Sequence, residues 1–111
     1  MTATDQAHQL SDVVRARIAN TIIGQMGGFG RLSAMVKMRH PVALESGVQF
    51  KFSGSRKVNT CRVTLGSGDL YTFELWKCTP TMMKQVYLGT GYYADMLITA
   101  FETETGLALS L

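Results

Sequence analysis

The period of the apolar residues changes twice along this chain, from about 3.6 to 2 and back, and that change most constrains what it can fold into. From Ser11, Val14, Ile18 and Ile22 recur at four-residue steps, with Val13, Ile23 and Met26 widening the stripe. This pattern predicts an amphipathic helix. Ser11 is a suitable N-cap, Asp12 complements the helix dipole in the first turn, and the paired Gly27-Gly28 supplies a stop. The next segments alternate: Arg31–Met38 (Leu32, Ala34, Val36 and Met38 inward, Met35 the exception), Val48–Phe52, Cys61–Leu65, Tyr71 through Cys78, and Met82–Leu88. Alternation is the mark of half-buried strands. The helical period then returns with Tyr93, Leu97 and Phe101, flanked by Ala94 and Ile98 and closed by Gly106. Helices bracketing a run of strands predict an α+β fold: a five-stranded antiparallel meander sheet flanked by an N-terminal and a C-terminal helix.

Breaks in the pattern set the expected connections. His40-Pro41 is expected to end the first strand, because proline lacks the N–H of a central ladder. Ser46-Gly47 reads as a turn, Ser53-Gly54-Ser55-Arg56-Lys57 as a polar, basic loop and Gly66-Ser67-Gly68-Asp69 as a hairpin connection. Thr79-Pro80-Thr81 interrupts the chain again, and Gly89-Thr90-Gly91 reads as a turn. The tail, Leu107 to Leu111, is apolar enough to tuck against the core. There is no internal repeat or linker, so residues 1–111 are expected to form a single domain. With 46% hydrophobic and 17% charged residues, it is expected to fold alone or as a small oligomer such as a homodimer.

Several function classes lack support in the sequence. Met1–Gln9 has neither the basic residue nor the apolar run of a secretory signal, and no stretch approaches the ~18 apolar residues of a membrane span. The strand phase sets Cys61 inward and Cys78 outward, so a disulfide between them is not expected and a reduced, cytoplasmic setting fits. His8 and His40 cannot complete a tetrahedral metal site with cysteines on opposite faces, and Cys61 reads as a small core hydrophobe. Gly24, Gly27, Gly28 and Gly30 follow a helix instead of preceding one, the reverse of a phosphate-binding loop. Glu102 and Glu104 lie two apart on a helix, hence on different sides, and Asp69 has a ready role in a turn. The expectation is a protein that is not an enzyme, with no catalytic residues, metal or cofactor.

Charge is the one feature left that points outward. Residues 31–84 hold nine lysines and arginines against three carboxylates, a net of +6, while residues beyond 84 carry only Asp95, Glu102 and Glu104. The expected sheet is therefore basic and the C-terminal helix acidic. Lys37, Lys51, Arg62 and Thr64 are expected to alternate outward, with Trp76 beside them and Arg56 and Lys57 in the adjoining loop. Lys37, Lys51, Arg56, Lys57, Arg62 and Trp76 form the candidate binding face: cations for phosphates and an aromatic for stacking. The alternative is an ordinary solvated face whose lysines discourage edge pairing. Trp76 is open between a protein contact hot spot and a site buried beneath the N-terminal helix.

The order of landmarks resembles a family of small uncharacterised proteins of bacteriophages, prophages and other mobile elements. The resemblance runs over most of residues 21–111. It is carried by Ile22 to Gly28, Leu32 to Val36, Val48-Gln49-Phe50-Lys51-Phe52, Asn59 with Arg62-Val63-Thr64-Leu65, Asp69 to Glu74, Tyr92 to Leu97, and Phe101-Glu102 with Thr105-Gly106-Leu107. Val36-Lys37-Met38 departs from it, since typical members carry a Thr-Gly-Ala step there. The resemblance implies an accessory protein acting in the host bacterial cytoplasm during infection, without catalytic residues to transfer. The expected function is anti-defence protein binding: inhibition or modulation of a host nucleic-acid-handling complex, with a host or phage protein of that machinery as partner. Direct nucleic-acid binding on the basic sheet and sequestration of a small nucleotide signal are the alternatives, and no membrane partner is expected.

Overall fold

Helix formers and glycine caps shape the first third of the chain. In the computed structural model, which describes residues 3–109 and side chains from residue 12 onward, α1 spans Ala3–Gln25 and α2 spans Phe29–Val36. Ala19, Ile22, Ile23 and Met26 are buried, whereas Val13 and Val14 stay about half exposed. Among the described side chains of α1, those that pack on the core lie in its C-terminal half, although the apolar stripe is longer. The helix starts upstream of Ser11, which lies inside it and does not cap it. Gly27 and Gly28 adopt φ of 113° and 92°, and the Gly28 N–H closes the helix on the Ile23 carbonyl at 2.9 Å.

Arg31–Met38, expected as the first strand, is instead the body of α2. Leu32 and Val36 are buried as anticipated. Their four-residue spacing is compatible with both a period of 2 and one of 3.6, so that pair could not decide between the two. Arg31, Leu32, Ala34 and Met35 are good helix formers, and Val36 is the segment's single β-branched residue. Lys37 closes α2 in the left-handed region, φ 54°, its N–H on the Leu32 and Ser33 carbonyls.

Five strands follow: β1 Arg39–Leu44, β2 Gly47–Lys51, β3 Thr60–Leu65, β4 Tyr71–Thr79 and β5 Met82–Tyr92. They pair antiparallel in the order β1-β2-β3-β4-β5, an open meander. His40-Pro41 does not end a strand. It forms a bulge inside β1, where Arg39 faces Lys51 but Val42 faces Gln49. An edge strand tolerates proline at such a bulge. Gly89-Thr90-Gly91, expected as a turn, continues β5 to Tyr92, and the positive φ of Gly91 (75°) accommodates the register shift there. Short 3₁₀ turns cover Ser67–Asp69 and Ala94–Met96, and α3 runs over Leu97–Thr105. Tyr93, expected on the apolar stripe of that helix, precedes it and is 61% exposed.

All helices pack on one face of the sheet. Phe50, Cys61, Val63, Phe73 and Leu75 point into that layer and meet Ile22, Leu32, Leu97 and Phe101. Phe52 and Phe101 form an edge-to-face pair with centroids 5.0 Å apart, and Phe73 packs similarly against Tyr87 and Tyr92 at 6.0 Å. Burying each phenylalanine contributes roughly 2–3 kcal/mol. Leu109 is buried and Leu107 half-buried, so the tail does dock, while Ser110 and Leu111 lie outside the described residues. The opposite face of the sheet carries no helix.

Candidate functional site

Strand alternation places Gln49 and Lys51 of β2, Arg62 of β3 and Glu74 and Trp76 of β4 on the helix-free face. Arg62 donates from Nε (3.0 Å) and Nη2 (2.8 Å) to Gln49 Oε1. Its guanidinium carbon sits 5.2 Å from the centroid of the Trp76 ring, within cation–π range. Trp76 Nε1 donates to Glu74 Oε1 at 3.2 Å, and Gln85 Nε2 donates to the same oxygen at 2.8 Å. The Arg62–Trp76 pair is thus held in one geometry from both sides. Trp76 is half-buried by these strand neighbours, not by α1.

The sheet topology gathers most of the remaining cations. In a meander, the start of β1, the end of β2, the β2–β3 loop, the end of β4 and the start of β5 lie at the same end of the sheet. That end receives Lys37, Arg39, Lys51, Arg56, Lys57, Lys77 and Lys84. Lys77 is half-buried and the other six are exposed. The segments supplying them, residues 37–44, 51–60 and 75–84, contain no Asp or Glu. Across the ladder Arg39 faces Lys51, Lys51 faces Thr60 and Thr60 faces Trp76, so the aromatic stands in the same row as two of the cations. At ~4.8 Å between strands, that row is about 14 Å long.

Local hydrogen bonds fix this end. Arg39 Nη1 donates to Ser53 Oγ at 2.7 Å, and the Ser53 N–H reaches the Val36 carbonyl at 2.8 Å, tying the loop to the end of α2. Ser55 Oγ accepts from the backbone N–H groups of Lys57 and Val58 at 3.2 and 3.4 Å. Asn59 uses its side-chain amide as a strand residue would use its backbone. Its Nδ2 donates to the Cys78 carbonyl at 2.7 Å and its Oδ1 accepts the Cys78 N–H at 2.9 Å. This extends the β3–β4 ladder and braces the hairpin that carries Lys77 and Lys84.

The opposite end is acidic by the same topology. Glu45 lies in the β1–β2 turn, Asp69 in the β3–β4 connection and Asp95 just after β5. A cleft of about 330 Å³ there is lined by Tyr92, Asp95, Met96, Thr99, Ala100, Thr103 and Glu104. Tyr87 and Tyr92 share a short hydroxyl–hydroxyl hydrogen bond. That bond, aided by burial and by the charge of Glu104, pushes the Tyr87 phenol up to about 12.

Five of the six expected site residues meet at or beside this basic end: Lys37, Lys51, Arg56, Lys57 and Trp76. Lys37 arrives from the cap of α2, not from an outward strand position, which corrects its expected setting. Arg62 lies farther up the face, its Nε and Nη2 engaged with Gln49. Arg39, Lys77 and Lys84 also lie at this end, although charge and strand phase alone do not single them out. The signal that could have found them is strand polarity in a meander, which puts residues 39, 51, 77 and 84 at one end. Cys61 and Cys78 are free, one buried and one half-buried on the other face, as the strand phase anticipated. Burial, reinforced by Glu74, pushes the Cys61 thiol well above its ordinary value, so this sulfur stays protonated. Among the described residues, no three His, Cys, Asp or Glu side chains cluster to hold a metal, and no helix is long and apolar enough to cross a membrane.

Fold and site together define a two-layer helix-on-sheet α+β domain with a cationic sheet end. Comparison with known protein families, curated proteins and solved structures finds no match.

Proposed function

We propose that this protein is a non-catalytic binding module that takes a nucleic-acid strand across the basic end of its sheet. The observation that carries the reading is the convergence of seven cations at one sheet end, from segments without a carboxylate and beside Trp76. Lysine and arginine clusters release counterions from a phosphate backbone, and an adjacent aromatic offers a stacking surface. Salt-titrated fluorescence anisotropy with labelled single-stranded and duplex DNA and RNA tests it. Binding weakens log-linearly with salt. The triple change Lys51→Glu, Arg56→Glu and Lys57→Glu lowers affinity roughly 100-fold and the slope by about two to three. Changing Glu45→Lys and Asp69→Lys at the far end leaves binding at least as strong. No binding at low salt would refute the reading.

A second reading is favoured by the Arg62–Trp76 stack, because tryptophan and arginine dominate protein–protein hot spots. In it the protein docks on a host nucleic-acid-handling defence complex, in line with the resemblance to phage and mobile-element proteins. Retention of such a complex that is lost with Trp76→Ala, in a variant that still fails to bind nucleic acid, supports this second reading.

A further inference from the structure

The two edge strands of the sheet follow opposite rules. β1 has six residues, and His40-Pro41 breaks its ladder with a bulge and removes an N–H. Such devices keep an edge from pairing with another chain. β5 has eleven residues, no proline and a single charge, Lys84. It leaves Met83 62% exposed and Leu88 55% exposed, and its outer backbone groups face no further strand. β5 has two irregularities of its own, at Val86 and around Gly91, yet Val86 is 45% exposed, so the first adds apolar surface to the edge. A long apolar edge with an open ladder is a template for strand addition.

The charges identify what fits there. β5 runs from the basic end of the sheet to the acidic end. Lys84 lies directly opposite Lys77 of β4, a like-charge pair that is unfavourable as it stands. At the other end of β5, Asp95 and Glu104 line the cleft beside Tyr92. Antiparallel pairing of two β5 strands sets the basic end of each copy against the acidic end of the other, whereas parallel pairing would oppose like charges. A two-fold axis produces the antiparallel arrangement. We propose that the protein forms a symmetric dimer through β5, with Lys84 of each copy directed to the Asp95–Glu104 cleft of the other. The dimer rests on the β5 edge and shares only Lys84 with the nucleic-acid reading.

Sedimentation or light scattering over a range of concentrations tests the assignment. The mass rises from 12.2 kDa for one chain toward twice that value. Lys84→Glu and Asp95→Lys, each at an exposed position, raise the dissociation constant about tenfold or more by opposing like charges. Combining both in one chain restores dimerisation. Leu88→Lys yields a monomer whose far-UV circular dichroism matches that of the parent chain, separating loss of pairing from loss of fold. A parent chain that stays monomeric at every concentration overturns the proposal. So does a dimer whose double variant is no tighter than either single variant.

Discussion

The basic and acidic ends of the sheet are built from the same meander but devote their residues to different ends. At the acidic end the β1–β2 connection is tight. Leu44 pairs with Gly47 across Glu45-Ser46, and the Leu65 N–H bonds the Ser46 carbonyl at 2.7 Å. At the basic end the β2–β3 connection is long and polar, held by Ser53, Ser55 and Asn59 instead of by a two-residue turn. Close backbone packing specifies register at one end. The other presents charge on a loop and an overhanging hairpin, the kind of rigidly mounted loop on which binding residues concentrate.

Gly47→Ala should show the largest effect. A Cβ there would stand 2.1 Å from the Val63 carbonyl oxygen and 2.8 Å from Thr64 Cα, backbone that cannot turn aside. A loss of about 3 kcal/mol or more is expected in urea unfolding, with polyanion binding per folded molecule unchanged. A neutral outcome would mean that the tight end does not set the register.

Asn59→Ala breaks the comparison from the other side. It removes both bonds to the Cys78 backbone, and a cost of about 2 kcal/mol is expected. Amide exchange should quicken over residues 77–84 and not in the β1–β2 turn.

The smallest effect concerns alkaline pH. Tyr87 has an ordinary value of 10 and is held near 12 in the fold, chiefly by its hydrogen bond with Tyr92. Its contribution is therefore complete below pH 10 and fades as pH rises toward 12. Tyr87→Phe should flatten the fall in stability across that window and leave stability near neutrality lower by only about 1 kcal/mol. An unchanged pH profile would show that the tyrosine pair is not coupled to folding.

Much of the fold was legible because burial on one face imposes a period. The inward rows of β3 and β4 and the opposite settings of Cys61 and Cys78 follow from alternation alone. Residues 31–38 were not legible, since Leu32 and Val36 satisfy both periods and the choice fell to helix propensity and the left-handed cap at Lys37. His40-Pro41 was misread for a related reason. Proline argues against a central strand, and only pairing order reveals that this strand is an edge. The site was half legible: Lys51, Arg56, Lys57 and Trp76 came from charge and phase, while Arg39, Lys77 and Lys84 required the chain reversals to bring them together.

The sequence by itself determined strands β2 to β5, their inward residues and the net positive charge of the central segment, because these depend on local spacing and composition. Tertiary structure alone decided where that charge sits. Antiparallel strands reverse direction at each turn, so residues dozens of positions apart share one end of the sheet. A sequence-wide excess of cations thereby becomes a pole with a tryptophan beside it.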